Sequence, residues 1–187
     1  MMGSHSSAPL PIRMIRVSGG DADAYARHIV AHMAESGREG LPHFAIARVW
    51  AKDEIRSSLV ARLAKELNEP LWGRAWGLWA PDGTEMVGHI ELRGGRVPAE
   101  MHRATLGMGI MRAWTARGHG PRLVQAAVKW ARDTAELEWI DLGVFSDNAP
   151  ARKLYQRMGF VEIGVRKDAF HLDAGVAVDD VLMALKL

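Results

Sequence analysis

A glycine-rich turn, residues 117–120 (Arg-Gly-His-Gly), stands directly before a segment whose apolar residues recur at helical spacing. At the start of a helix the backbone N–H groups have no intrahelical partner, and the helix dipole adds positive charge there. Both favour a bound phosphate, and Arg117 and Arg122 bring cationic side chains to the same turn. The pattern predicts a pyrophosphate-binding turn, although glycines in such a turn also serve backbone geometry alone.

Two common phosphate-binding motifs are missing from this turn. The lysine and the spacing of a P-loop are absent, and a dinucleotide fingerprint needs a third glycine where Leu123 stands. Nucleotide hydrolysis and hydride transfer are therefore disfavoured as functions.

A second cluster lies in residues 146–160, SDNAPARKLYQRMGF, at the spacing N-x-x-A-x-x-L-Y-x-x-x-G-F. Six positions carry the pattern: Asn148, Ala151, Leu154, Tyr155, Gly159 and Phe160. Together with the glycine turn, this cluster resembles the GCN5-related N-acetyltransferase (GNAT) family. The resemblance covers residues 75–187. It departs from the family at Thr115, where Gln or Arg is usual, and at Pro121, which lacks an amide.

The resemblance implies that acetyl-CoA binds to the glycine turn and to the strand before it. In this family the pyrophosphate is held mainly by backbone amides, and the pantetheine arm pairs with free backbone groups at the strand end. The cofactor-binding residues carried onto this sequence are Ile110, Met111, Arg112, Arg117, Gly118, His119, Gly120, Arg122 and Asn148. Asn148 has a compatible second interpretation as a helix cap.

Tyr155 matches the family's general acid. The resemblance implies direct acetyl transfer from the thioester to a primary amine, and the departing coenzyme A thiolate then needs a proton. A phenol with a pKa of about 10 is protonated at neutral pH and can donate that proton. The alternative for Tyr155 is a half-buried aromatic side chain that only packs.

The general base that deprotonates the amine is harder to assign. Glu91 ends the strand before the glycine-containing strand, and His102 immediately precedes that strand, so both are candidates. His89 shares a strand face with Glu91 by period two, which makes a water-linked pair an option. For Glu91 and His102 alike, a solvated surface position is the competing interpretation.

Composition excludes several other chemistries. The chain has no cysteine, which rules out a disulfide framework, a thiolate nucleophile and Cys-ligated metals. No H-E-x-x-H motif or carboxylate cluster appears, so we predict no metal site. The 24 Lys and Arg residues nearly balance 22 Asp and Glu residues, so neither nucleic acid nor a membrane is a predicted partner.

The predicted elements that position these residues follow the order β, α, α, β, β, β, α, β, α, β, β. A helix over 121–133 links strands 104–111 and 139–145, which makes these two strands parallel neighbours. We therefore predict an α+β fold with a mixed, mostly antiparallel central sheet and flanking helices. The resemblance adds that the parallel pair splays apart at its C-terminal ends, as in the GNAT-like acyl-CoA N-acyltransferase fold.

A length of 187 residues with 48% hydrophobic residues fits one globular domain. We expect residues 1–10 to be a disordered tail or expression remnant and residues 11–187 to be a single N-acetyltransferase domain. No run approaches about 18 apolar residues, and the start lacks the apolar core of a signal peptide. A cytoplasmic location is therefore expected.

Two further segments have structural and functional interpretations. The tryptophans at 72, 76 and 79 favour core packing over an aromatic acceptor pocket. The segment 166–180 is interpreted as a long loop that lines the acceptor site, or alternatively as a solvated hairpin.

The combined prediction is an acetyl-CoA-dependent N-acetyltransferase that acts on a primary amine of a small molecule or a protein. A homodimer is an open option. The rival from another class is a catalytically silent coenzyme A-binding module with a sensing or structural role. A nucleic-acid-binding domain is disfavoured because the chain has no basic stripe and no aromatic RNA-binding motif.

Overall fold

The computed structural model describes residues 9–44, 50–172 and 175–187, which form a seven-stranded sheet flanked by four α-helices. The strands are β1 (Ile12–Met14), β2 (Gly73–Trp79), β3 (Met86–Gly94), β4 (Arg103–Ile110), β5 (Trp139–Phe145), β6 (Val161–His171) and β7 (Ala177–Lys186). The helices are α1 (Asp21–Ala34), α2 (Lys52–Leu63), α3 (His119–Asp133) and α4 (Ala149–Arg157). The predicted α+β class is confirmed.

The strand order across the sheet is β1-β2-β3-β4-β5-β7-β6, and each neighbouring pair is antiparallel except β4 and β5. The parallel pair joins residues 103–105 of β4 to residues 139–141 of β5. The pairing ends there, so the carboxyl halves of the two strands separate. The predicted splayed parallel pair is therefore confirmed, and it leaves an opening in the sheet between β4 and β5.

Helix α3 covers one face of the sheet with a stripe of buried apolar residues. The stripe consists of Leu123, Val124, Ala127 and Ala131. Each fully buried Leu or Val contributes about 1.5–3 kcal/mol through the hydrophobic effect. Trp72 and Trp76 pack edge-on against Trp130 of this helix with ring centroids 5.9 and 5.5 Å apart, so they are core residues.

Helices α1 and α2 pack on the opposite face. Tyr25, Leu59 and Leu63 share a second core cluster with Trp79 and Met86 of the β2–β3 hairpin. Because side chains alternate along β3, Ile90 belongs to the α3 core whereas its neighbours His89 and Glu91 face α1 and α2. The end of α1 thereby reaches the edge where β4 and β5 separate.

Two segments differ from the prediction. Leu10, assigned to the disordered tail, is buried in the core, and its carbonyl accepts a hydrogen bond from Arg122; residues 1–8 lie outside the described residues. The segment 166–180 is largely the end of β6 and the start of β7, so the hairpin alternative describes it better than a long loop.

Within the described ranges, no helix is long and apolar enough to cross a membrane.

Candidate active site

A cleft of about 790 Å³ opens where β4 and β5 separate. It is lined by residues 106–110 of β4, 143–145 of β5, the 118–121 turn, parts of α1 and α4, and residues 41, 42 and 44. The crossover from β4 through α3 to β5 explains the placement, because a strand-to-helix turn lies at the carboxyl end of the strand that feeds it. The glycine turn therefore stands beside the cleft.

The turn itself is built around a left-handed glycine. Gly118 has φ +77° and forms the N-cap of α3, which begins at His119, two residues earlier than predicted. Gly118, His119 and Gly120 all line the cleft, so the unpaired amides at the start of α3 lie within reach of a phosphate there. The bulk of Leu154 on α4 also restricts residue 120, since a Cβ at Gly120 would lie 2.9 Å from Leu154 Cδ2.

The two arginines of the turn are placed differently from the prediction. Arg122 donates from Nη2 to the carbonyl oxygen of Leu10 at 2.9 Å, which ties its guanidinium to the N-terminal segment. Arg117 is exposed, and its guanidinium carbon lies 5.1 Å from the centre of the Trp114 ring. Neither Arg117 nor Arg122 is among the residues that line the cleft. Phosphate contacts from Arg122 are therefore not supported.

The backbone at the end of β4 distinguishes Ile110 from Met111. The Met111 N–H donates to the carbonyl oxygen of Val87 at 2.9 Å, so this amide is used by β3. Backbone groups alternate in direction along an antiparallel strand, which points those of Ile110 toward the gap with β5. Ile110 lines the cleft and Met111 does not. The expected contact through Met111 is not supported.

The amide of Arg112, expected to be free, has a partner in this structure. It donates to Oε2 of Glu35 at 3.0 Å, and the Arg112 guanidinium pairs with Glu39. Glu35 and Arg112 both line the cleft. The contact joins residues 77 positions apart, so local patterns in the sequence did not indicate it.

Tyr155 and Asn148 enter the cleft from α4 and its N-cap. Tyr155 is 6% exposed, and burial raises the pKa of its phenol well above the usual value, which keeps the hydroxyl protonated at neutral pH. Asn148 caps α4, because its Oδ1 accepts the Ala151 N–H at 3.2 Å. The cap uses the side-chain oxygen, and the amide NH₂ of Asn148 is a second polar group at the cleft wall.

Glu91 does not have the environment of a general base. It is buried beneath α2, where Oε2 accepts from Arg62 Nη2 at 3.1 Å and the other oxygen pairs with Arg93. Burial by itself raises the pKa of this carboxyl, but the charges of Arg93 and Arg62 bring it below its ordinary value. A carboxylate held by two cations and outside the cleft lining is a poor proton acceptor.

His102 lies at the wrong end of β4 for catalysis. It is exposed just before the amino end of the strand, and its carbonyl accepts the Glu138 and Trp139 N–H groups. The cleft is at the carboxyl end of β4, so His102 is corrected to a surface position.

Three buried histidines lie beside the cleft, and of these the prediction considered only His89, as a water-linked partner of Glu91. His28 Nε2 is 2.9 Å from His89 Nδ1, and the His28 ring stacks on His32 with centroids 5.6 Å apart. His32 also stacks on Phe44 at 4.3 Å and lines the cleft. A Cβ at Gly109 would lie 2.4 Å from His32 Nε2, so the glycine leaves room for this ring against β4.

Burial is the main reason why the pKa values of these three imidazole groups are lowered. It lowers the pKa of His28 to about 2 and that of His32 to about 4, and it lowers that of His89 well below 6.5. The three rings are therefore neutral at neutral pH, and each has one nitrogen that can accept a proton. The H-x-x-x-H spacing of residues 28 and 32 is the sequence signal for this cluster, and the prediction does not use it. In the described ranges, no group of three His, Asp or Glu side chains is arranged to hold a metal ion.

The acetyltransferase (GNAT) family model matches residues 45–160, which is more than half of the chain. The chain belongs to this family. The matched range of this GNAT protein contains both the glycine turn and the Tyr155 motif. The resemblance drawn from those two motifs is confirmed.

A curated relative of this GNAT protein is the L-amino acid N-acetyltransferase AaaT of Escherichia coli (strain K12). The two are 32% identical over 100 residues. The aligned part covers 54% of this chain and 61% of that relative, which is less than two thirds of the relative's length.

Solved structures share the fold over nearly the whole chain. The yncA protein of Salmonella typhimurium, solved with its cofactor acetyl-CoA, has a TM-score of 0.78 at 16% identity and covers 96% of this chain and 95% of that chain. The spermidine N-acetyltransferase of Vibrio cholerae in complex with CoA and spermine has a TM-score of 0.73 at 18% identity, covering 94% and 95%. At these identities the likeness shows the GNAT fold.

Proposed function

We propose that this GNAT protein transfers the acetyl group of acetyl-CoA directly to a primary amine. One observation carries the proposal: a single cleft is lined by the 118–120 turn, the free backbone edge at Ile110 and the hydroxyl-bearing Tyr155. These groups match the three parts of an acyl-CoA in order, from the pyrophosphate through the pantetheine arm to the thioester.

The donor fits the cleft because each part of it meets a complementary group. The amides at the start of α3 face a pyrophosphate, and Gly118 lets the ligand approach the backbone closely. The splayed β4 edge offers unpaired N–H and C=O groups to the amides of the pantetheine arm. The thioester then lies between β4 and α4, near Tyr155 and Asn148.

The reaction needs two proton movements around one nucleophilic attack. The neutral amine nitrogen attacks the thioester carbonyl carbon, the C–N bond forms, and the C–S bond breaks. The nitrogen loses one proton, and the departing sulfur takes one from the Tyr155 hydroxyl. With no cysteine in the chain, a thiol acyl-enzyme is excluded and direct transfer accounts for all atoms.

The acceptor class best supported is an α-amino acid. The curated relative carries the name L-amino acid N-acetyltransferase, and Arg157 at the cleft can pair with an α-carboxylate. A polyamine, as in the name of the Vibrio cholerae protein, needs several acidic partners. Glu35 is the one acidic residue among the described residues that line the cleft.

A thiol-release screen tests the proposed function. Acetyl-CoA is mixed with the protein and with separate pools of α-amino acids, polyamines, aminoglycosides and peptides. We expect thiol release with at least one pool and the strongest release with α-amino acids. Tight acetyl-CoA binding without release in any pool would identify a silent coenzyme A-binding module instead.

A cytoplasmic location and a homodimer complete the proposal. Edge strand β6 supports the dimer, because it presents Val161, Ile163 and Val165 to solvent at 59%, 60% and 48% exposure. Apolar side chains that alternate along an exposed edge strand suit pairing with a second copy. Light scattering of the purified protein, with Ile163→Lys as the comparison, tests this part.

A further inference from the structure

We propose that Glu35 and His32 form a carboxylate–imidazole pair that deprotonates the acceptor amine, and that the pair assembles when acetyl-CoA displaces Glu35 from the Arg112 amide. The inference rests on the proposed function and names the general base that the sequence did not identify. His32 is the catalytic residue of this pair, and Glu35 is its positioning residue.

The position of Glu35 is the first observation. Its Oε2 accepts the Arg112 N–H at 3.0 Å and lies 3.8 Å from Nδ1 of His32. Glu35 and His32 are three residues apart at the end of α1, so their side chains share one face. A rotation of the Glu35 side chain therefore exchanges one partner for the other.

Competition for the Arg112 amide provides the trigger. The Ile110 amide points toward the gap between β4 and β5, and the Arg112 amide, two residues further on, points to Glu35, which lines the same cleft. A pantetheine arm that pairs with this edge needs the Arg112 N–H, and one N–H makes one good hydrogen bond. Bound acetyl-CoA therefore releases the Glu35 carboxylate.

His32 has an open position for that carboxylate. Its Nδ1 is buried and has no hydrogen-bond partner in the structure, and an unpaired buried polar atom is unfavourable. A carboxylate on Nδ1 fixes the tautomer with the proton on Nδ1. The lone pair then lies on Nε2, at the ring edge that packs over Gly109 of β4. His32 and this part of β4 both line the cleft, so Nε2 lies at the wall of the proposed acetyl-transfer site.

Among the groups that surround His32, Glu35 is the one whose charge can raise the pKa of the His32 imidazole. On α1 and β3 it faces His28 and His89, both kept neutral by burial, and Arg93 and Glu91 lie beyond His89. Behind Glu35 stands the Arg112–Glu39 ion pair. Burial alone lowers the pKa of His32 to about 4, and an adjacent carboxylate raises it toward neutrality. The amine proton then moves to Nε2 as the C–N bond forms.

Glu35→Gln is the decisive variant, with Glu39→Gln as the matched control. Glu39 is a neighbouring carboxylate that pairs with the Arg112 side chain and not with His32. The measurements are kcat and kcat/KM between pH 6 and 9 with an acceptor found in the screen, and acetyl-CoA affinity by calorimetry. His32→Gln is measured in the same way.

The pair predicts opposite effects on binding and turnover in Glu35→Gln. We expect kcat to fall on the order of 100-fold, as for loss of general base catalysis, and the acidic limb of the pH profile to leave the measured range. Acetyl-CoA binds about threefold or more tightly, because the charged competitor for the Arg112 amide is gone. His32→Gln lowers kcat to the same extent, and Glu39→Gln changes neither quantity.

Two results with the Glu35→Gln variant would overturn parts of the inference alone, and a third result, with the wild-type protein, would overturn the proposed function as well. An active wild-type protein whose Glu35→Gln variant keeps the wild-type kcat and acidic limb contradicts the pair and leaves the proposed function intact. A Glu35→Gln variant that binds acetyl-CoA more weakly contradicts the displacement. A wild-type protein that binds acetyl-CoA but acetylates no amine contradicts the proposed function, and the pair fails with it.

Discussion

His43 and Asp147 connect the two walls of the cleft: His43 Nδ1 lies 2.7 Å from Asp147 Oδ2, and the same oxygen accepts the His43 N–H at 3.1 Å. His43 belongs to the segment after α1, whereas Asp147 lies between β5 and α4. Leu41, Pro42 and Phe44 around it line the cleft. The double contact therefore holds residues 41–44 over the site.

Asp147→Ala tests this connection. Loss of both hydrogen bonds frees the 41–44 segment, so we expect KM for the acceptor to rise about fivefold or more, with a stability change below about 1 kcal/mol because the pair is exposed. Steady-state kinetics and urea unfolding measure the two effects. Asp133→Ala, which removes a surface ion pair with Lys129 on α3, is the control and leaves KM unchanged. An unchanged KM in Asp147→Ala would show that the His43–Asp147 contact does not contribute to acceptor binding.

Gly118→Ala tests the phosphate-binding turn. Alanine at a positive φ costs about 1 kcal/mol, and Gly118 has φ +77° with open space around its Cβ position. Gly83 has the same features, φ +71° and open space, in the β2–β3 turn. We expect both variants to lose similar stability and Gly118→Ala alone to bind acetyl-CoA about tenfold more weakly. Equal affinities of the two variants, by calorimetry, would contradict the assignment of the turn.

Tyr155→Phe tests proton donation to the departing thiolate. We expect kcat to fall on the order of 100-fold and the acetyl-CoA affinity to stay near that of the wild type, because the hydroxyl acts on the leaving group. Tyr25→Phe removes a buried hydroxyl that bonds to Glu91 outside the cleft, so it lowers stability and leaves kcat unchanged. A wild-type kcat in Tyr155→Phe across pH 6 to 9 would make Tyr155 a packing residue.

The buried histidines predict how stability depends on pH. Burial lowers the pKa of His28 to about 2 and that of His32 to about 4, and it also lowers that of His89, whereas in the unfolded chain each lies near 6.5. Below about pH 6.5 the unfolded chain binds protons that the folded chain does not. The free energy of unfolding is therefore highest above pH 6.5 and falls toward pH 4, by up to about 1.4 kcal/mol per pH unit for each histidine.

Urea unfolding at pH 7.5, 6.5 and 5.5 measures this dependence. His28→Gln removes one of the three groups, so its stability should fall less steeply with pH than that of the wild type. Equal slopes in the variant and the wild type, or a flat wild-type profile between pH 6.5 and 5.5, would show that these rings take up protons in the folded state.

The fold was predictable because its signals are local. The apolar stripe of α3 is readable within the helix, the strand–turn–strand pattern of β2 and β3 is readable within the hairpin, and one crossover helix sets β4 and β5 parallel. The boundaries were less accurate, as at α3, where the left-handed Gly118 starts the helix before Pro121. Hydrophobic periodicity does not report the backbone conformation of a glycine, so it did not locate this helix start.

Candidate residues of the site were predictable where a local motif marks them, as in the glycine turn and in the Tyr155 motif. The N-x-x-A-x-x-L-Y spacing predicted Asn148 and Tyr155 as site residues, and the structure has Asn148 as the N-cap of α4 and Tyr155 on that helix, both lining the cleft. Glu91 and His102 lie near β4 in sequence, but Glu91 is paired with two arginines, and His102 lies at the end of the strand opposite the cleft. The ion pairs of Glu91 and the end of β4 at which the cleft opens both depend on tertiary contacts. The spacing of residues along the sequence does not show such contacts.

A crystal structure of the complex with coenzyme A tests the central claim most directly. The account predicts the pyrophosphate at the amides of residues 118–120, the pantetheine arm paired with Ile110 and Arg112, and the sulfur within hydrogen-bond reach of the Tyr155 hydroxyl. It also predicts Glu35 turned from the Arg112 amide onto His32 Nδ1. Coenzyme A bound outside the gap between β4 and β5, with Tyr155 distant from the sulfur, would contradict the account.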